Sequence, residues 1–229
     1  MKSAIVERYL DTAVRFTPAR ARGGEGRPLR VASSLLTCEL AAAVLNALQV
    51  AEESETAYRH VNVHNPRCPL AFDRAAARWV CANGLEAHPV WGINWSGAVL
   101  VCKHLGGRLP SAAEWECIAS NNEPGRSYPW GNGDPSHLLA NYDEYYGGPT
   151  PVGSFAPSEI GLYDLAGNLG EWCRDRPPPA GGPGRSFERV VKGGAWSKDA
   201  YFLKIAVNRS KWERLGTTTI GFRPVWDDA

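Results

Sequence analysis

Apolar residues recur at helical spacing in four stretches of the chain, all within its first 120 residues. Side chains three and four positions apart lie on one face of a helix, so each stretch predicts a helix that packs against a core. The third stretch ends at Gly106 and Gly107, which favour a helix C-terminus. Ser111 and Glu114 have the spacing of a capping box in the fourth. The stretches span residues 3–14, 38–50, 94–106 and 108–120.

Strand patterns are shorter and more scattered than the helical ones. Residues 14–37 predict two strands joined across the Gly-Gly-Glu-Gly turn, and "RVVKGGAW" and "IGFRPVW" predict strands in the second half. Beyond Asn121 the chain is rich in Gly, Pro, Trp and Tyr, and Arg176–Ser186 predicts a surface loop. The pattern therefore predicts small sheets, few helices and much irregular chain, which something other than regular hydrogen bonding must hold in place.

Composition favours a single globular domain over residues 1–229. The chain is 44% hydrophobic, its net charge is +1, and it has no apolar run long enough to span a membrane. We therefore expect neither nucleic acid nor membrane as a partner. The N-terminus carries acids among its apolar residues and does not resemble a signal peptide. Six scattered cysteines are typical of reduced thiols, so we expect a cytoplasmic protein.

Charge is distributed unevenly in the second half of the chain. Between Arg126 and Arg174 there is no Lys or Arg, whereas the segment from Arg185 to Arg223 carries nine Lys or Arg and three acids. Buried metal sites and tryptophans are common ways to fix irregular chain. The acidic block supplies candidate ligands for the first, and nine Trp residues supply the second.

A series of collinear motifs resembles the formylglycine-generating-enzyme family, also called the sulfatase-modifying-factor family. The resemblance runs from about Val14 to Trp226. It implies an α+β, C-type-lectin-like fold with small antiparallel sheets and about two to three helices, preceded by a helical extension at residues 1–13. The motifs are "HPVWGINWSGAVLVCKHLGGRLPSAAEWECIAS", "YPWGN", "AN", "PVGSFAPSEIGLYDLAGNLGEWCRD", "VVKGGAW" and "NRSKWERLGTTTIGFRPV".

Two calcium sites are implied by this resemblance. Calcium prefers carboxylate, amide and carbonyl oxygens, which the acidic block offers. The first site falls on Asp164 and Glu171 with the carbonyls of Gly167 and Leu169. The second falls on Asn141 and Glu144 with the carbonyls of Tyr142 and Tyr146, and Asp143 is an alternative to Glu144. The alternative is that these acids are only solvent-exposed surface residues that cap turns. In either case the role is structural.

Copper chemistry is not expected in this chain. Enzymes of the family oxidise a substrate cysteine with copper held by two cysteines, and the equivalent positions here lie near Ser197 or Lys198 and near Leu203. Cys173 is the last cysteine of the chain, so no shift of alignment restores the pair. Cu(I) needs thiolate or thioether ligands, which these side chains do not provide.

Iron is uncertain, because the iron-dependent sulfoxide synthases of the family take their ligands from a separate helical domain. A transition-metal site at His60, His64 and Cys68 is conceivable, since the three residues follow at intervals of four. The alternative is that these are loop histidines with ordinary hydrogen bonds.

The favoured function is a binding or accessory module that uses the irregular stretch after "GGAW". Aromatic and cationic side chains dominate binding surfaces, and this stretch suits an acidic or aromatic ligand or a protein partner. Lys204 and Lys211 add to its charge. Its predicted anchors are Trp196, Ser197, Lys198, Tyr201, Arg209, Trp212 and Arg214.

Two alternatives remain open. One is an oxidative tailoring enzyme with relocated chemistry near Ser197, Lys198 and Arg209, with His60 or His64 as a base. The other is a diversity-generating-retroelement variable protein, although the stretch lacks the Asn, Ser and Tyr bias of such proteins.

Some motif residues are expected to be core. These are Trp130, Trp172 and Trp196, and Arg223 with a buried charge-assisted hydrogen bond.

Overall fold

The four predicted helices are confirmed. The computed structural model describes residues 3–19, 26–51, 60–178 and 187–228, and none of the helices in these residues is long and apolar enough to cross a bilayer. Most of the predicted Gly-Gly-Glu-Gly turn and most of the predicted loop at 176–186 lie outside the described residues. The helices are α1 Ala4–Asp11, α2 Cys38–Ala47, α3 Trp95–His104 and α4 Ala112–Ser120.

Each helix after α1 begins at a side chain that caps it. Thr37, Asn94 and Ser111 each accept a backbone N–H of the first helical turn. At α4 the cap is reciprocal, because Glu114 Oε2 accepts the Ser111 amide N–H at 2.7 Å. The predicted capping box is therefore present, and it satisfies amides that the helix itself cannot pair.

Nine short strands form three sheets in the described part of the chain, with orders β1-β2-β9, β3-β4 and β7-β6-β5-β8. A 3₁₀ helix, Ala200–Leu203, precedes β7. The strands are β1 Val14–Phe16, β2 Leu29–Val31, β3 Leu70–Asp73, β4 Arg78–Cys81, β5 Gly170–Trp172, β6 Glu188–Lys192, β7 Arg209–Trp212, β8 Ile220–Gly221 and β9 Val225–Asp227.

The expectation of antiparallel sheets is right with one exception. β5 and β8 pair in parallel, with Gly170 opposite Ile220 and Glu171 opposite Gly221. A parallel pair needs a long crossover, and the chain supplies one between the two strands. The helix count is four in the described residues, above the expected two to three unless α1 is counted as the extension.

The largest hydrophobic cluster gathers α1, α2 and α3 around fully buried tryptophans. Trp172 has no exposed surface, and its indole N–H donates to the Ile93 carbonyl at 3.3 Å. Trp130 and Trp196 are only half-buried, so the expected core role holds for Trp172 and only in part for those two. This core supports the irregular second half of the chain.

Candidate functional site

Two irregular loops, residues 139–150 and 164–169, meet at a pair of asparagines. The Asn168 N–H donates to the Asn141 carbonyl at 2.8 Å, and neither residue has exposed surface. The Asn168 side-chain amide also pairs with the backbone of Thr150, once as donor and once as acceptor, both at 3.1 Å. The segments of the two predicted calcium sites are therefore joined into one unit.

Gly167 is required where these loops touch. Its φ of +77° is unfavourable for other residues, and an added Cβ would overlap the Asn141 carbonyl oxygen. Its N–H donates to the Gly193 carbonyl at 2.7 Å, and the Trp196 N–H donates to the Asn168 carbonyl at 2.8 Å. The glycine thus brings the "GGAW" segment against both loops.

Glu171, a predicted ligand of the first calcium site, forms an ion pair inside the protein. Arg223 donates to it from Nε at 3.1 and 3.2 Å and from Nη2 at 2.9 Å. The guanidinium also donates to the carbonyls of Ala32 and Tyr163, at 2.9 and 2.6 Å. Both charged side chains are at most 1% exposed. The negative charge of Glu171 is therefore neutralised by Arg223, and the expected buried hydrogen bond of Arg223 is confirmed.

Asp164, the other carboxylate of that site, is buried without an ion pair among the described residues. Its Oδ2 accepts the Gly153 N–H at 2.8 Å, and its Oδ1 accepts from the Asn168 side chain at 3.3 Å. Burial raises the pKa of the Asp164 carboxyl above its ordinary value, although the Gly153 amide and the charge of Arg223 oppose the shift. A bound cation would favour its charged form.

Asn141 carries an unsatisfied acceptor in the second predicted site. Its Nδ2 donates to the Gly148 carbonyl at 2.8 Å, whereas its Oδ1 is buried without a hydrogen-bond partner. A buried acceptor left unpaired costs roughly 1–3 kcal/mol. Asp143 and Glu144, which follow Asn141 closely in the chain, are exposed and have φ of +55° and +58°. This set of oxygens fits a hard cation such as calcium.

Tyr142 and Tyr146, the remaining residues of that set, are each held by a hydrogen bond, Tyr142 at its predicted carbonyl ligand and Tyr146 at its side-chain hydroxyl. The Tyr142 carbonyl accepts the Tyr145 N–H at 3.2 Å, and the Tyr146 hydroxyl donates to the His137 carbonyl at 2.7 Å. A carbonyl has two lone pairs, so that of Tyr142 retains capacity for a cation.

His60, His64 and Cys68 do not share a face of one regular element, because residues 63–67 form turns. The Nδ1 of His60 lies 3.2 Å from the Ser96 hydroxyl. Within the described part of the chain, no group of three or more His, Cys, Asp or Glu side chains is placed to hold a metal ion.

The positions implied for the copper cysteines differ in environment. Leu203 is fully buried, in a small cluster with Tyr142 and Ala166, and Lys198 is half-buried. Cys173 is buried, and burial raises the pKa of its thiol well above the ordinary value. The segment therefore presents an apolar side chain and an amine where thiols would stand.

Arg209 lies against this segment without an acidic partner. Its Nη2 donates to the Gly194 carbonyl at 2.9 Å, and its guanidinium carbon lies 5.8 Å from the centre of the Phe202 ring. Its Nε is buried without a hydrogen-bond partner, and no described residue forms an ion pair with it. Burial alone lowers the pKa of Arg209 to about 10. The site therefore holds a partly buried cation with unused donor capacity.

The predicted binding residues fall in two places. The Trp196 indole N–H donates to the Thr218 carbonyl at 3.1 Å. Arg209, at the start of β7, contacts Gly194 and Phe202, the residues that flank Trp196, Lys198 and Tyr201 in the chain. Trp212 ends that strand three residues later, roughly 10 Å away at the ordinary rise of a strand. Ser197 belongs to the first group, and Arg214, fully at the surface, belongs to the second.

An exposed aromatic loop escaped the sequence prediction. His137 stacks between Tyr142 and Tyr145, with ring centres 4.3 and 4.1 Å apart. Leu138 is 84% exposed and Tyr145 is 64% exposed. The signal in the sequence was the run "HLLANYDEYY", in which large apolar residues follow no helical or strand period.

Comparison with known proteins identifies similar sequences. Residues 40–228 match the family described as the sulfatase-modifying factor enzyme 1-like domain. The chain is 35% identical over 164 residues to serine/threonine-protein kinase Pkn1 of Chlamydia trachomatis, a match covering 66% of this chain and 26% of the kinase. It is 35% identical over 138 residues to the formylglycine-generating enzyme of Thermomonospora curvata, covering 48% of this chain and 45% of the enzyme. The matches thus span about a quarter and under half of these relatives.

Among solved structures, the fold is similar to that of Treponema denticola variable protein 1. The TM-score is 0.66 at 19% identity, over 95% of this chain and 93% of the other. At this identity the similarity shows the fold. The expected α+β, C-type-lectin-like fold of the formylglycine-generating-enzyme type is therefore confirmed.

Proposed function

The chain belongs to the sulfatase-modifying factor enzyme 1-like family, and we propose that it is a binding module of that family that captures an acidic ligand. One observation carries the proposal: Arg209 is a partly buried guanidinium that has no carboxylate partner among the described residues. A buried charge without a counterion lowers the stability of a fold. A ligand carboxylate, sulfate or phosphate would supply that counterion.

The neighbourhood of Arg209 suits such a ligand. A guanidinium has five N–H donors that suit carboxylate, sulfate and phosphate oxygens, and Arg209 uses only Nη2 in a hydrogen bond to the described residues, to the Gly194 carbonyl. The ring of Phe202, 5.8 Å from the Arg209 guanidinium, offers apolar contact to an aromatic acid, and Trp196 and Lys198 follow shortly after Gly194, whose carbonyl Arg209 binds. Ser197 adds a hydroxyl donor. An acidic side chain of a partner protein presents the same chemistry.

The absence of thiols supports binding rather than oxidation. No cysteine follows Cys173 in the chain, and Lys198 and Leu203 stand at the positions implied for the copper ligands. Neither an amine nor an alkyl side chain holds Cu(I), so we infer that this protein does not form formylglycine through copper.

We propose that calcium stabilises the loops behind this site. The unpartnered Oδ1 of Asn141 supports this role, and the Tyr142 carbonyl and the carboxylate of Asp143 or Glu144 are available beside it. When bound, calcium would fix the loop whose amides reach the carbonyls of Trp196 and Lys198, at 2.7 and 2.9 Å. Its contribution is rigidity and not chemistry.

Thermal melts in three anions at constant ionic strength test the binding proposal. We expect inorganic phosphate, acetate or indole-3-acetate to raise the Tm of the wild-type protein, because a ligand that binds only the folded state stabilises it. The Arg209→Met variant should lose this response. Arg214→Met, which changes an exposed arginine of the same segment, should retain it.

Two results would contradict the proposal. One is an equal anion response in the wild type and in Arg209→Met, which would place any binding elsewhere. The other is a tight, stoichiometric Cu(I) complex in a titration of the wild type, which would overturn the inference from the missing thiols.

A further inference from the structure

We propose that this chain forms a twofold-symmetric dimer through two adjacent surfaces of opposite charge. The first is the aromatic loop, defined as residues 136–148, and the second is the basic segment, defined as residues 196–214. This inference is independent of the proposed ligand site, because it rests on exposed side chains and not on Arg209.

The aromatic loop exposes an unusual amount of apolar surface. Among the described residues, eight large hydrophobic side chains are exposed, and half of them lie in this loop. Scattered exposed apolar residues are ordinary, but a concentrated group marks an interaction surface. The four are Leu138 at 84%, Leu139 at 37%, Tyr145 at 64% and Tyr146 at 44%.

The stacking within the loop holds its rings in place. His137 lies between two tyrosine rings, and the Tyr145 and Tyr146 rings meet edge to face at 4.9 Å. Tyr146 also contacts Phe155, at 5.8 Å between ring centres. Tyrosines fixed in this way lose little conformational entropy on binding, which is why such residues serve as anchors.

The basic segment adjoins the aromatic loop. The N–H groups of Asp143 and Glu144 donate to the carbonyls of Lys198 and Trp196. Below the surface, Tyr142 of the loop packs in one cluster with Leu203 of the segment. Beside this junction the segment exposes Tyr201, whose ring lies 5.6 Å from Lys204 Nζ.

The charges of the two surfaces are complementary. The aromatic loop carries Asp143 and Glu144 and no Lys or Arg. The basic segment carries two acids against five positive residues, which are Lys198, Lys204, Arg209, Lys211 and Arg214. Asp143, Glu144, Lys198 and Lys204 form no ion pair with any described residue, so their charges are available to a partner.

A second copy of this chain satisfies both surfaces at once. When two complementary patches lie side by side, a twofold axis between them places each patch against the opposite patch of the partner. The aromatic side chains would then form the apolar centre, and the charged residues would form the rim and select this register. Arrangements that bring two basic segments together would be repelled.

Sedimentation equilibrium of the full chain tests the dimer. We expect a monomer–dimer equilibrium that weakens with added salt, because rim charges are screened. Two charge changes at exposed positions should each weaken the dimer at least tenfold: Leu138→Lys with Tyr145→Lys in the aromatic loop, and Lys204→Glu with Lys211→Glu in the basic segment. Lys103→Glu, an exposed reversal on α3, should leave the equilibrium unchanged.

Mixing the two variants provides the decisive arm. Each variant alone opposes like charges across the axis, but in a mixture the altered loop of one faces the altered segment of the other. We expect a heterodimer at the wild-type affinity.

A wild-type protein that stays monomeric up to about 1 mM, which corresponds to a binding free energy weaker than about −4.1 kcal/mol, would overturn the proposal. So would a dimer that both variants leave intact, or two variants that stay monomeric when mixed. These changes leave Arg209, Asp143 and Glu144 in place, so failure here does not test the anion or calcium proposals.

Discussion

Arg223 and Arg209 are two arginines in the same half of the chain whose surroundings differ in one respect. Arg223 faces a buried carboxylate, Glu171, and two backbone carbonyls. Arg209 has one carbonyl, that of Gly194, and a buried Nε without an acceptor. The guanidinium of Arg223 has its counterion within the fold, whereas that of Arg209 has no counterion among the described residues.

This difference separates a stabilising group from a candidate functional one. A paired buried charge ties together the elements that hold it, here the strand β5 and the segment after β8. An unpaired buried charge lowers the stability of the fold, and such destabilising groups are concentrated at functional sites. The contrast can be tested by removing each charge in turn.

The largest effect is expected for Arg223→Met. The substitution leaves Glu171 as a buried charge without a partner, so we expect the free energy of unfolding to fall by about 3–5 kcal/mol in urea denaturation. That loss is a large share of the roughly 5–15 kcal/mol typical of a domain.

The double variant Arg223→Met with Glu171→Leu checks the cause. Removing both charges should recover much of the loss, because no uncompensated charge remains. A double variant as unstable as the sum of the two single changes would show that packing, and not charge, sets the cost.

The response of the Tm to calcium tests which of the two acidic loops binds the ion. If calcium binds at Asn141, a concentration of about 100 times its Kd should stabilise the protein by about 2.7 kcal/mol, seen as a higher Tm that a chelator reverses. The double variant Asp143→Asn with Glu144→Gln should lose most of this response, whereas Asp134→Asn, an exposed acid elsewhere in the acidic block, should keep it. A melting curve that neither chelator nor calcium moves would rule out calcium at either loop.

Arg209→Met should have the opposite sign from Arg223→Met. Because it removes a buried charge and an unsatisfied Nε, we expect stability in urea to stay the same or rise by about 1 kcal/mol. Arg189→Met is the matched control, since Arg189 pairs with Glu213 at 2.9 Å and stacks on Trp95, and it should lower stability. A marked loss in Arg209→Met would show that Arg209 is structural after all.

Arg108 is partly exposed and has two acidic partners, and we expect its removal to have the smallest effect on the free energy of unfolding. Hydrogen bonds from Arg108 lower the pKa of Asp227. Burial raises the pKa of Glu114, but hydrogen bonds from Arg108 and the Ser111 amide outweigh it and lower that pKa as well. The stabilisation is therefore present above the ordinary values of these acids and is lost as the pH falls through their folded values. Arg108→Gln should cost about 0.5–1 kcal/mol at pH 7 and less at pH 3, in urea titrations at both values.

Much of the first half of the fold is predictable from local pattern. The apolar spacing located α1 to α4, and Ser111 with Glu114 located the N-terminus of α4. Local signals fail where long-range contacts decide. The strand β5 lies in the glycine-rich run from Asp164 to Glu171, which resembles a loop in isolation, and it becomes a strand because β6 and β8 pair with it.

The residue types of the candidate site were predictable from the sequence, but their arrangement in space was not. The aromatic and cationic residues after "GGAW" predicted a binding stretch, but its spacing does not reveal that Arg209 and Trp212 lie at opposite ends of β7. The aromatic loop was missed because it has no period to detect. Which of its side chains are exposed depends on the packing of the loop, in which the rings of His137 and Tyr142 stack on each other.

The sequence by itself determined the family motifs, the helices and the absence of cysteine after Cys173, because each depends on residue identity along the chain. Only the tertiary structure decided which charges are paired. Glu171 and Arg223 are 52 residues apart, and their pairing depends on the β5–β8 contact. Whether a buried charge finds a partner depends on the packing of distant strands, and that packing pairs Arg223 with Glu171 and leaves Arg209 without an acidic partner among the described residues.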